Sequence, residues 1–356
     1  MNRHRTLLAL AALTIAGCQT TPLSVDKAAS IRDTQTSILG INHIGLSVRD
    51  LDLALSFYQT ASGFELVSRE TVDSNPAADE FFGQPGIRYE IAVLKAPNMM
   101  FELIEFAGNR DLPAATKPRN GPGMTHTCFQ SPIEDPGFDK FVTAGATPIS
   151  RGGQPVDLGG YGVTYAYAYD PEGNMIELEQ LDGAVLQRTD YDTAVEERGE
   201  NLWMSQVAIA TPDIDRLMQF YAEVLGIAPY RITEVGGNNK IDAIVDFDNT
   251  RIIGGWFRMN QASKVMEFWQ FLNPATPSTT MPRAVTELGY TFSLEASDIQ
   301  AEYRRLVSLG VGVVSEPVQM GNFWQFLARD VDGNVFSVRQ AIDPQSPYSV
   351  RALDRL

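Results

Sequence analysis

His43-Ile-Gly-Leu-Ser-Val-Arg-Asp50-Leu-Asp52-Leu-Ala-Leu-Ser-Phe57-Tyr58 and Gln206-Val-Ala-Ile-Ala-Thr-Pro-Asp213-Ile-Asp215-Arg-Leu-Met-Gln-Phe220-Tyr221 place Asp, Asp, Phe and Tyr at one common offset. A second pair recurs at nearly the same interval: Asp170-Pro-Glu-Gly173-Asn174-Met-Ile-Glu177-Leu-Glu179-Gln180 and Asp330-Val-Asp-Gly333-Asn334-Val-Phe-Ser337-Val-Arg339-Gln340. Two independent motifs repeating together indicate a duplicated domain. Each half divides again. Strand-like runs open four quarters at residues 41–48, 124–130, 204–211 and 290–295. Helical stretches follow, clearest at 51–61, 214–225 and 298–309. Asp50 or Asp52, and Asp213, are candidate N-caps, and Gly63, Gly226 and Gly310 candidate stops. Alternating runs at 100–106, 163–169 and 175–180 read as strands, with the Asp-Pro-Glu-Gly and Asp-Val-Asp-Gly segments as hairpin turns. The fold class is therefore α+β, built from four βαβββ modules.

Composition bounds the function. The 356 residues are 44% hydrophobic and 20% charged, which excludes a disordered, collagen-like or coiled-coil chain. A net charge of −16 lacks the basic footprint of a nucleic-acid binder and would be repelled by anionic lipid. Two cysteines make no disulfide scaffold.

The His-Ile-Gly-Leu-Ser-Val-x-Asp-Leu…Phe-Tyr opening and the Asp-Pro-Glu-Gly-Asn-x-Ile-Glu-Leu ending resemble the vicinal oxygen chelate superfamily, which includes glyoxalase I, bleomycin-resistance proteins, epimerases and extradiol dioxygenases. The resemblance covers residues 39–342. It implies a metal-binding glyoxalase-like domain at 39–181, a linker at 182–202, a degenerate glyoxalase-like domain at 203–342 and a tail at 343–356. It also implies that paired modules curl into a cup with a metal at its floor.

Of three histidines, His4 lies in the leader, while His43 and His126 stand at matching positions of modules one and two. Glu102 and Glu177 lie in the last strands of the same modules, where a charged residue must face solvent, pair or bind a metal. On the resemblance, His43, Glu102, His126 and Glu177 are the metal ligands. Two nitrogens and two oxygens suit one divalent ion such as Ni, Co, Zn, Mn or Fe. Position for position, the second half offers Gln206, Glu267, Tyr290 and Ser337, a poor metal site. Modules one and two are thus expected to form one cup. Pairing one with four and two with three would instead give a mixed site of His126, Glu177, Gln206 and Glu267.

Glu179 shares a strand face with Glu177 and is a candidate base or neighbour to the ligands. Cys128 shares a face with His126, where a small buried hydrophobe is the simplest role. Tyr165, Tyr167 and Tyr169 alternate on one face and either line a pocket or cover an outer surface. Trp203, Trp256, Trp269 and Trp324 all lie in the second half, with core packing their default role. The implied function is a divalent-metal-dependent isomerase, epimerase or lyase acting on a small oxygenated molecule through an enediolate, with Glu177 or Glu102 as base. The alternatives are an Fe(II) ring-cleaving dioxygenase using His43, His126 and Glu177, or a small-molecule binding protein of the bleomycin-resistance type.

The first residues read as an address. Arg3, His4 and Arg5 precede an apolar run from Leu7 to Ile15, too short to span a bilayer comfortably, so Met1–Gly17 is read as a signal peptide. Ala16-Gly17-Cys18 resembles the lipobox of bacterial lipoproteins, which implies lipidation at Cys18 and a tether over 18–38. Gln19 after the cysteine implies the outer membrane, facing the periplasm, with the lipid as the only membrane contact.

Overall fold

A computed structural model describes residues 36–186, 202–260, 264–278 and 282–353. The leader, Cys18 and most of the linker lie outside the described residues. No helix among those described is long and apolar enough to cross a membrane.

Module one comprises β1 (Ile38–Ser47), β2 (Glu65–Val72), β3 (Tyr89–Lys95) and β4 (Met100–Phe106). Module two comprises β5 (Gly123–His126), β6 (Cys128–Pro132), the short β7 (Thr147–Pro148) and β8 (Val156–Asp157), β9 (Val163–Tyr169) and β10 (Met175–Leu181). Module three runs through β11 (Trp203–Met204), β12 (Gln206–Ala210), β13 (Arg231–Gly236), β14 (Arg251–Asn260) and β15 (Lys264–Asn273). Module four holds β16 (Gly289–Ala296), β17 (Gly312–Val313), β18 (Val318–Met320), β19 (Phe323–Arg329) and β20 (Val335–Ala341). The α+β class and the repeated strand order match the sequence reading.

The helices start and stop for the reasons the residues suggest. Asp50 accepts from the Leu53 amide at the head of the Leu51–Ser62 helix, and Asp213 from Arg216 at the head of Ile214–Leu225. Gly63 and Gly226 close those helices in the left-handed conformation, where a Cβ would be strained.

The pairing of modules differs from the expectation. β1 lies antiparallel to β16, so modules one and four share one sheet in the order β17-β19-β20-β16-β1-β4-β3-β2. β5 lies antiparallel to β12 and β6 to β11, so modules two and three also exchange strands, here as two sheets of six and five strands. Side chains at the seam favour this exchange. Gly45 of β1 faces Thr291 of β16, and a Cβ there would sit 2.4 Å from the Thr291 hydroxyl. Asn42 donates to Glu295 at 2.6 Å and Arg339 to Glu102 at 3.0 Å, both across the seam between modules one and four.

The helix at Leu51–Ser62 follows the other pairing, whereas the short helices Pro76–Phe82 and Asn239–Val245 pack across the halves on modules four and two. Leu51–Ser62 of module one packs on Gly137–Ala144 of module two, with Phe57 and Phe141 edge to face at 5.8 Å. The hairpin turn of module two docks on module one: Tyr58 donates to buried Asp170 at 2.9 Å, and Glu172 accepts from the Arg49 and Asp50 amides. Tyr221 and Asp330 repeat the contact in the second half at 3.1 Å. One hydrophobic core drawn from all four modules lies behind the three sheets. The sheets are thereby free to present their other faces as two cups.

Candidate metal centre

The second cup, shared by modules two and three, gathers one histidine, two glutamates and a glutamine. Strand alternation puts Glu177 of β10 on the face occupied by His126, and Glu267 of β15 on the face occupied by Gln206. The β5–β12 seam then brings the two sets together. His126 Nε2 lies 3.3 Å from Glu177 Oε2 and 3.5 Å from Glu267 Oε2. Gln206 Nε2 donates to Glu267 Oε2 at 3.2 Å and also bonds Glu177 Oε2. All four side chains are buried.

The surroundings aim this cluster. The Thr125 hydroxyl lies 2.9 Å from His126 Nδ1 and donates to the Ala208 carbonyl at 3.4 Å, so it accepts the Nδ1 proton. That leaves Nε2 facing the carboxylates. A buried nitrogen that faces two carboxylates with no aligned hydrogen bond among the described residues, and is held from behind, is the arrangement a metal-ligating histidine adopts. The glutamine amide adds a neutral oxygen when its end is turned over. The Trp256 indole donates to Glu267 Oε1 at 2.7 Å and fixes that carboxylate. The residues therefore fit a divalent ion held by nitrogen and oxygen donors.

Electrostatics follow from burial and crowding. Burial alone would lower the His126 imidazole, but Glu177 and Glu267 outweigh it and push it up to about 9. Burial raises Glu177, against the opposing pull of His126. Burial, and then the charge of Glu177, pushes Glu179 up to about 8. Glu179 accepts from Gln130, whose amide oxygen in turn takes the Trp203 indole proton at 2.8 Å. Burial, followed by Glu179 and Glu177, holds the Cys128 thiol well above its ordinary range, which makes it a poor nucleophile.

Tyr167 meets the His126 ring edge on at 5.0 Å, so the tyrosines of β9 line this cup. The Asn239–Val245 helix closes one end of it, with Ile244 and Val245 packed on Tyr167 and Met175. Trp256 and Trp269 stand edge to face within it at 5.3 Å, whereas Trp324 is exposed in module four.

The first cup, shared by modules one and four, holds the other two sequence candidates. His43 Nε2 lies 3.3 Å from Glu102 Oε2, and His43 Nδ1 lies 3.2 Å from Asn42 Oδ1. His43 and Glu102 are thus separated from His126 and Glu177, and the four do not form one cluster. The reason is the exchanged strand pairing. The counterpart of Glu177 here is Ser337. The counterpart of His126 by strand register is Thr291 and not Tyr290, which turns into the core beside Tyr58 and Asp170.

A fixed cation already occupies this floor. Arg339 donates to Glu102 Oε1 at 3.0 Å, to Asn42 at 3.2 Å and to Gln325 at 3.3 Å. Burial, and then the Arg339 charge, holds His43 well below its ordinary range. One neutral imidazole, a carboxylate committed to a guanidinium, and hydroxyls make a poor divalent-metal site. Glu102, tied to Arg339 and in the other cup, does not share a site with Glu177. The sequence contained a signal for this: Arg339 stands where the first half has Glu179, a reversal of charge at a repeat position.

A family model described as the Glyoxalase/Bleomycin resistance protein/Dioxygenase superfamily matches residues 40–178 and 203–338. Over 144 residues the chain is 24% identical to an ethylmalonyl-CoA/methylmalonyl-CoA epimerase of Cereibacter sphaeroides, covering 40% of this chain and 97% of that protein. The crystal structure of glyoxalase I from Zea mays superposes with a TM-score of 0.55 at 18% identity, over 86% of this chain and 92% of that one.

Proposed function

The chain belongs to the glyoxalase/bleomycin resistance protein/dioxygenase superfamily, and on that footing we propose that its second cup is a metal-dependent isomerase, epimerase or lyase site for a small oxygenated molecule. The ligands are His126, Glu177, Gln206 and Glu267. The observation that carries this reading is the His126 Nε2 atom, buried and facing two carboxylates with no aligned hydrogen bond among the described residues. A divalent cation there supplies Lewis acidity, drawing electron density from neighbouring substrate oxygens and so acidifying the adjacent C–H.

The chain's own residues divide the remaining work. The Trp256 indole donates to Glu267 Oε1 and fixes that carboxylate in place, which suits a permanent ligand. Glu177 is raised by burial against the bonds it accepts from Gln206 and Tyr167, which makes it the carboxylate better suited to take a carbon-bound proton. Tyr167 and Trp256 line the space above the floor and exclude water from it. A single histidine beside two carboxylates favours this chemistry over the ring-cleaving dioxygenase, which uses two histidines and one carboxylate.

The test is solvent-deuterium exchange by the metal-loaded protein across a panel of hydroxyketones and branched acyl thioesters. Exchange without oxygen consumption, lost in Glu177→Gln with metal retained, is the expected result. Oxygen uptake coupled to turnover, or undiminished exchange in the variant, contradicts it.

We also propose that the chain is lipid-anchored at Cys18 and faces the periplasm from the outer membrane. The basic start, short apolar run and Ala-Gly-Cys ending support this. Incorporation of labelled fatty acid, lost in Cys18→Ser, tests it. An unlabelled, fully soluble wild-type chain contradicts it.

A further inference from the structure

Two arginines stand on the cup-side face of module three. Arg231 lies opposite Trp256 in the β13–β14 pair, and Trp256 lies opposite Glu267 in the β14–β15 pair. Arg258 is two residues beyond Trp256, so it shares that face. Both arginines are exposed. The Arg231 guanidinium sits 4.9 Å from the centre of the Trp256 ring, and that of Arg258 5.1 Å from the Tyr230 ring. Neither is ion-paired among the described residues. Nearby Arg251 and Arg283, by contrast, are bound to Glu234 and Glu287.

Stacking on an aromatic ring uses the face of a guanidinium and leaves its in-plane N–H donors free. Those donors form a fork matched to two oxygens of an anion. Their position ties them to the His126–Glu177–Glu267 cluster. The same Trp256 that carries Arg231 donates its indole proton to Glu267. Tyr230 lies within electrostatic reach of Arg258, Glu267, Arg231 and Glu179, so both arginines stand on the side of the proposed ligand cluster. In a chain of net charge −16, these two cations, neither ion-paired among the described residues, form a local site for negative charge.

We propose that Arg231 and Arg258 are specificity residues that bind a carboxylate on the far end of the substrate while its oxygenated end lies over the His126–Glu177–Glu267 cluster. The substrate class is then an acidic oxygenated metabolite rather than a neutral one. This inference rests on the functional reading of the second cup.

Hydroxamates, which chelate divalent metals through neighbouring oxygens, serve as probes. Affinities of acetohydroxamate and of the succinic and adipic monohydroxamates are measured by calorimetry on cobalt-loaded protein. At least one carboxylated hydroxamate is expected to bind about tenfold tighter than acetohydroxamate, as charge-assisted hydrogen bonds allow. In the Arg231→Gln/Arg258→Gln variant all three should bind alike, at the acetohydroxamate level. Equal binding by the wild type, or an undiminished preference in the variant, overturns the arginine proposal alone. A wild-type protein that binds neither metal nor any hydroxamate overturns both it and the metal site.

Discussion

The state of His126 is set by three neighbours: Thr125 behind it and two glutamates in front. Without metal, those glutamates keep its proton to about pH 9, so a metal must displace that proton to bind. Binding at pH 7 should release protons, and affinity should rise toward pH 9. Calorimetry in buffers of different ionisation enthalpy measures this. The same shift has a consequence for stability. The folded, metal-free protein binds more protons here than the unfolded chain. Its stability should therefore fall as pH rises from about 6.5, the free imidazole value, through about 9. Glu179, also raised, adds the same sign up to about pH 8. His43, lowered, acts only on the acid side of its ordinary 6.5. A metal-free Tm that climbs between pH 6.5 and 9 would contradict this assignment. In the first cup, Arg339→Met leaves half-buried Glu102 with only the His43 imidazole beside it and should cost about 2–3 kcal/mol, with most of it recovered in Glu102→Gln/Arg339→Met. Denaturant titration of the single and double variants checks this, and a single variant as stable as wild type would show the pair to be incidental.

Elements show what the sequence could and could not convey. Helix 214–225 and strands 100–106 and 163–169 were legible to the residue, because period and caps are local. The motif residues Tyr58 and Asp170 were legible as a repeat, and the structure explains them as a buried hydrogen bond. Strand pairing was not legible, since alternation identifies a strand's faces but not its neighbour. The stretches 124–130 and 204–211 read as single strands, yet each is broken as it passes from one sheet to the other. Tyr290 was matched to His126 by sequence interval, and a one-residue slip put the wrong face inward; Thr291 holds the position. Gly45 was an unremarked glycine in the sequence, and the seam gives it a reason. Gly45→Ala should destabilise by about 1–3 kcal/mol through contact with the Thr291 hydroxyl, and Thr291→Ala should relieve it. An additive double variant would contradict the contact.

At the scale of the molecule, the two halves are held together in two different ways. The helix Leu51–Ser62 and the hairpin turns pack within a half, while the sheets, joined by the short helices Pro76–Phe82 and Asn239–Val245, are completed between halves. Each cup consequently draws its floor from both halves, and neither half contains a whole site. Duplication then permitted divergence. One cup keeps imidazole, carboxylates and amide around an open nitrogen, and the other holds an internal guanidinium against a carboxylate. The most direct test is the metal content of the purified chain from about residue 25, reconstituted and dialysed, alongside His126→Ala and His43→Ala. The wild type and His43→Ala should each retain about one divalent ion per chain, and His126→Ala almost none. Loss of metal in His43→Ala, or its retention in His126→Ala, would contradict the assignment of the site to the second cup.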